Sequence, residues 1–115
     1  MMMSTHILPE NALEFIRRCV REQKIWWTYH VNMRLKGRFI ARQEILDSVA
    51  NYEIIDEYPD DKYLPSYLVC SHSQDRIFHV LFAVDVEGDN VRVITTYYPS
   101  PEDWEKNLKT RRRTP

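Results

Sequence analysis

Glycine is nearly missing from this chain: 115 residues hold only Gly37 and Gly88. Neither stands in a GxGxxG or GxxxxGK[ST] pattern, which excludes the glycine-rich phosphate loops of Rossmann and P-loop nucleotide binders. Cysteine is as scarce. Cys19 and Cys70 are the two present, with no CxxC or CxxH spacing, which argues against a structural zinc site. Two isolated cysteines in apolar settings read as reduced and buried, with a disulfide as the alternative. No apolar run approaches the ~18 residues of a membrane span. Met1 to Leu8 lacks the basic start and apolar stretch of a signal peptide. These absences predict a soluble cytoplasmic protein with no membrane partner. Internal repeats and low-complexity segments are also missing.

What is present is one domain's worth of ordinary composition, 43% hydrophobic and 29% charged. The net charge of −1 conceals a segregation. Residues 1–50 carry eight Lys and Arg against five Asp and Glu, residues 51–90 two against nine, and residues 91–115 six against three. Both ends of the chain could therefore build one basic face. A solvated helix surface plus an arginine tail is the plainer reading.

The pattern begins as helix and ends as strand. Residues 1–9 read as a disordered lead-in, 10–110 as a single domain, and 111–115 as a basic tail. From Glu10 to about Lys24, Leu13, Ile16 and Val20, with Phe15 and Cys19 beside them, form an apolar stripe. Glu14 and Arg18 are spaced to pair. The clump Ile25, Trp26, Trp27 and Tyr29 anchors the entry to a second helix, His30 to Lys36, stopped by Gly37. Ala41 to Ala50 is a further short helix, or the rest of one broken helix. The period then changes to two. Strands are expected over Tyr52–Glu57, Tyr67–Ser71, Ile77–Val84 and Val91–Tyr98, the last two joined by the turn Glu87-Gly88-Asp89-Asn90. A short helix from Ser100 or Pro101 to Lys109 closes the domain. The expected fold class is α+β: N-terminal helices packed on a four-stranded antiparallel sheet, with a short C-terminal helix.

Few residues invite chemistry. His30, Arg34, Arg38 and Arg42 recur every four residues, and on a continuous helix they would form a cationic stripe about 18 Å long. Arginine forks bind phosphate, and histidine moves protons near neutral pH. The bland alternative is a basic solvated face. His79 sits in the most apolar strand with Ile77, Leu81 and Ala83 as face-mates. It is either a core histidine satisfied by a hydrogen bond, or a group on the face that meets the helix of His30. Tyr97, expected to share a face with Val93 and Thr95, could donate to phosphate or stack beneath a base. His6 and His72 read as surface residues. Asp56/Glu57 and Asp60/Asp61 lie in or beside a proline-containing loop without ligand spacing, and read as solvated.

Tyr29-His30, Arg34, Arg38, Ile54-Ile55, Tyr58-Pro59-Asp60, Phe78-His79-Val80 and Val93 to Tyr97 with Pro99 and Trp104 together resemble a family. The order and spacing over residues 10–112 look like the uncharacterised DUF family of short bacterial proteins grouped with the RelE, BrnT and MqsR toxins. The resemblance implies a RelE-like fold and a metal-independent endoribonuclease of a toxin–antitoxin system, needing no cofactor. In such toxins the ribose 2′-hydroxyl attacks the adjacent phosphate and leaves a 2′,3′-cyclic end. It implies His30 as general base or acid, Arg34 and Arg38 against phosphorane charge, His79 as second acid–base group or phosphate positioner, and Tyr97 on phosphate or base. It implies RNA, free or on the ribosome, and an antitoxin protein as partners. Two other readings compete: a non-catalytic RNA- or protein-binding module, and a metal-dependent hydrolase using the acidic loop.

Overall fold

The computed structural model describes residues 6–28 and 40–111. Helix α1 spans Ala12–Arg21, strand β1 Ile25–Trp27, helix α2 Arg42–Asp47 and a 3-10 turn Val49–Asn51. Four longer strands follow: β2 Glu53–Tyr58, β3 Ser66–Ser73, β4 Arg76–Asp85 and β5 Asn90–Tyr97. They form one open sheet in the order β1-β5-β4-β3-β2.

The side chain of Asn11 starts α1 by accepting from the Glu14 amide, 3.1 Å away. The helix stops three residues before Lys24 because Gln23 takes a left-handed conformation (φ 61°). Its apolar stripe buries Ile16, Cys19 and Val20 against the sheet. On β4, Phe78, Val80, Phe82 and Val84 all point to this side and are fully buried. Tyr52, Ile40 and Ile45 complete the layer. The Tyr52 hydroxyl donates to the Ile45 carbonyl at 2.7 Å, pinning the end of α2 to the start of β2. Arg17 donates to the carbonyls of Ala50 and Tyr52, and so joins α1 to the 3-10 turn. The expected Glu14–Arg18 pair is replaced. Glu14 pairs with Arg17 at 3.1 Å, and Arg18 instead reaches Asp89 in the β4–β5 turn.

The architecture differs from the expected one in three ways. First, the sheet has five strands among the described residues. The aromatic clump at Ile25–Trp27 is a strand, not a helix entry, and pairs parallel with Val91–Val93 of β5. Its residue types favour a pleated surface, but only the tertiary partner β5 selects it. Second, no helix closes the described chain. Residues beyond Tyr97 form turns, because Asn107 Oδ1 accepts from the Lys109 and Thr110 amides and Leu108 is left-handed (φ 57°). Trp104 instead bridges to Arg111 in antiparallel fashion. The last regular element among the described residues is a strand, so the expected RelE-like arrangement does not describe this protein. Third, two bulges break the alternation. On β5, Thr95 pairs with Leu81 and Val93 with Phe82, so Ile94 is the extra residue. Val93 and Tyr97 therefore lie on opposite faces. On β2, Ile55 is extra between Ile54 and Asp56.

The expected helix His30–Lys36 with its stop at Gly37 lies outside the described residues, as do residues 1–5 of the lead-in and 112–115 of the tail. Ala41 is extended (φ −72°, ψ 144°), so no continuous helix reaches Arg42, whose guanidinium sits 5.0 Å from the Trp27 ring centroid.

Two outcomes follow from this packing. Phe82→Ala should cost about 3–5 kcal/mol in urea unfolding, since its ring is fully buried against Tyr52 at 5.6 Å. Arg18 and Lys24 hold the Asp89 carboxyl at a pKa of about 2. The folded state therefore gains stability from Asp89 above the ordinary carboxylate pKa and loses it as pH falls toward 2. Asp89→Asn should lower the melting temperature at pH 7 but not at pH 2, and the difference should shrink in high salt because the pair is exposed.

Candidate functional site

The sheet has a second face, turned away from α1 and α2. Strand alternation puts His79, Leu81 and Ala83 of β4 on it, with Ser66, Leu68 and Cys70 of β3 paired opposite. The β5 bulge adds Thr95 and Tyr97, and the β2 bulge turns Asp56 and Tyr58 toward it. Without the bulges these residues would divide between the two faces.

Residues 99–111 cross one end of this face as a strap. His79 lies beneath it, fully buried. The Leu108 carbonyl can only accept, so the proton is on His79 Nε2, which donates to it at 2.6 Å. Nδ1 is then an acceptor, and the Tyr97 hydroxyl donates to it across 3.3 Å. The Trp104 ring meets the imidazole edge-on at 4.5 Å. At the strap's far side, Lys109 pairs with Glu53 at 2.9 Å. Burial pushes the His79 pKa below its ordinary value. The Leu108 bond opposes this shift and the charge of Arg111 adds to it. With both nitrogens engaged and its ring fully buried, this imidazole ties Tyr97 to the strap.

Beyond the strap the face opens into a cleft of about 290 Å³ floored by Leu68 and Leu81 and walled by Tyr58, Thr95, Tyr97 and Arg111. The Tyr58 hydroxyl donates to Asp56 at 2.8 Å. Arg111 stacks on Trp104, 4.6 Å from the ring centroid, and its guanidinium also hydrogen-bonds the Tyr58 hydroxyl, but it takes part in none of the ion pairs among the described residues. A stacked guanidinium without a carboxylate partner, beside a threonine hydroxyl and tyrosine rings, is suited to an oxyanion.

Of the residues singled out in the sequence, His79 and Tyr97 come together by direct contact. His30, Arg34 and Arg38 lie outside the described residues. Arg111, Tyr58 and Thr95 were missed as site residues. Arg111 reads in sequence as the first residue of a charged tail, and only the strap brings it over the sheet. Asp61 reads as one solvated loop acid, yet its carboxylate accepts from Ser66 Oγ at 2.6 Å and lines the cleft. Cys19 and Cys70 are both free, buried on opposite sides of the sheet. Among the described residues no group of three or more His, Cys, Asp or Glu could hold a metal ion, and no helix is long and apolar enough to cross a membrane.

A model of the family described as a domain of unknown function, DUF4258, matches residues 27–98. That span runs from the end of β1 to one residue past β5, so it contains most of the sheet but not the strap. The match carries no link to the RelE, BrnT or MqsR toxins. No curated protein and no solved structure matches the chain.

The buried histidine gives a pH signature. His79 stays neutral in the folded chain at pH values where an unfolded histidine takes up a proton. Stability should therefore fall as pH drops below the unfolded value of about 6.5. Urea unfolding at pH 7 and pH 5 should show a steeper loss for the parent than for His79→Gln, which cannot titrate; equal slopes would contradict the assignment.

Proposed function

Because the chain belongs to the DUF4258 family, whose description assigns no activity, we propose a reading from the site itself: the protein binds single-stranded RNA on the helix-free face of its sheet, without cleaving it through His79. The observation that carries this reading is Arg111, a cation with no described carboxylate partner, standing over a cleft with tyrosine walls. RNA backbones are held by such cations, and unpaired bases stack on aromatic rings. Tyr97 contributes its ring; its hydroxyl proton is committed to His79. The acidic residues of 51–90 favour a weak, local contact over broad electrostatic binding.

Metal-independent cleavage, which the resemblance in sequence implies, would depend on His30, Arg34 and Arg38. Nothing in the described site favours it over binding, because the one histidine present is occupied. An antitoxin partner likewise rests on the resemblance alone.

Fluorescence anisotropy with a labelled single-stranded RNA tests the reading. The parent should bind with an affinity that falls as salt rises. Arg111→Ala should weaken binding several-fold and flatten the salt slope by about 0.7, the value for one phosphate contact on a single strand. No binding, or an unchanged slope in Arg111→Ala, would overturn it. The same RNA held with excess EDTA should stay intact. Cyclic-phosphate ends that disappear in His30→Ala would replace binding with endoribonuclease activity.

A further inference from the structure

A second cleft of about 420 Å³ adjoins the first on the same face. Its floor is one same-face step further along each strand: Ala83 after Leu81 on β4, Ser66 before Leu68 on β3, and Arg92 and Ile94 before Thr95 on β5. A step of two residues along a strand is about 7 Å, near the separation of a phosphate from the base of its own nucleotide. Asp61 lines both clefts and stands between them.

The two clefts carry arginines in opposite states. Arg111 has no described carboxylate partner. Arg92 is neutralised by Asp85 at 3.2 Å and steadied by Asn90 at 3.4 Å. A paired guanidinium is a poor phosphate clamp but keeps a flat face on which a heteroaromatic ring can stack. Ile94 is exposed beside it, and Tyr63, 79% exposed, rims the same cleft. The second cleft therefore joins the apolar Ala83 and Ile94 to a paired, planar cation and to the Tyr63 ring, on which Lys62 Nζ rests 5.2 Å from the centroid, surroundings in which a base can stack.

Asp61 is fixed where a sugar would pass. Ser66 Oγ donates to its Oδ2, and the Lys62 amide donates to its Oδ1 at 3.1 Å. A carboxylate has about four acceptor positions, so two donors leave room for another. Its negative charge works against a second phosphate and in favour of a hydroxyl donor.

We propose that the two clefts together hold one ribonucleotide unit of a single strand: phosphodiester at Arg111, base at Arg92 and Ile94, and the 2′-hydroxyl donating to Asp61. The proposal rests on the RNA-binding reading and adds to it discrimination between RNA and DNA. The 2′-hydroxyl is the one group that distinguishes the two sugars at a given site.

The test compares oligouridylate with oligodeoxyuridylate of equal length, labelled alike, by anisotropy at low salt. The parent should prefer RNA by about tenfold, the scale of one hydrogen bond to a charged acceptor. In Asp61→Asn, DNA should gain affinity and RNA should not, so the ratio should fall toward one. Arg92→Ala should weaken both oligonucleotides several-fold and leave an abasic oligonucleotide unaffected. Equal binding of RNA and DNA by the parent, or an unchanged ratio in Asp61→Asn, would overturn the sugar contact. An Arg92→Ala effect on the abasic strand as large as on the others would overturn the base cleft. Failure of the parent to bind either strand would instead overturn the RNA reading itself.

Discussion

Strand β4 is fully buried on its helix side and only partly covered on the other, and the rest of the molecule is arranged around that constraint. Its even-numbered residues Phe78 to Val84 fill the layer beneath α1 and α2. Its odd-numbered residues face the other way, where no helix covers them. A central strand this apolar is normally sandwiched between helices. Here the strap of residues 99–111 covers only one end of the second face, over His79. The remainder, Leu81 and Ala83, becomes the floor of two clefts. The candidate site is thus the uncovered part of a face that must be partly covered for the sheet to be stable.

The buried histidine explains why the strap stays in place. An irregular segment has few ladder hydrogen bonds of its own and needs side-chain anchors. His79 supplies one through Nε2 and an edge-on contact to Trp104, and Lys109 adds an ion pair to Glu53. A hydrophobic residue of the same size could match the packing but not the bond to the Leu108 carbonyl. The same strap delivers Arg111, so the group that stabilises the fold also places the cation of the site. The two roles meet at Tyr97, which bonds His79 with its hydroxyl and walls the cleft with its ring.

The two bulges do comparable work on the sheet. A single extra residue, Ile94, lets Val91 and Val93 stay in the helix-side core while Thr95 and Tyr97 turn to the open face. Ile55 does the same for Ile54 and Asp56 on β2. Bulges re-aim side chains in this manner at sheet sites. Both edges of the cleft are set by them.

The sequence by itself determined what local pattern and composition can determine. The stripe Leu13 to Val20 specifies α1, and the period-two runs after Asn51 specify β2 to β5 in order, including the tight turn at Gly88-Asp89. The apolar run Ile77 to Val84 marks β4 as the central strand, with His79 among its face-mates. Long-range pairing was not legible in it. Ile25–Trp27 becomes a strand only because β5 lies alongside, a partner more than sixty residues away. The helix expected after Pro99 fails because Asn107 takes up backbone amides and His79, distant in the chain, holds the Leu108 carbonyl. Alternation predicted Val93 and Tyr97 on one face, and a bulge, which has no periodic signature, parted them. Arg111 and Asp61 looked like solvated charges because their setting is made by contacts, not by neighbours in sequence. Residue type and spacing fix which segments are regular; only tertiary packing decides which polar groups end beside one another, since that choice rests on hydrogen bonds between segments that no local window contains.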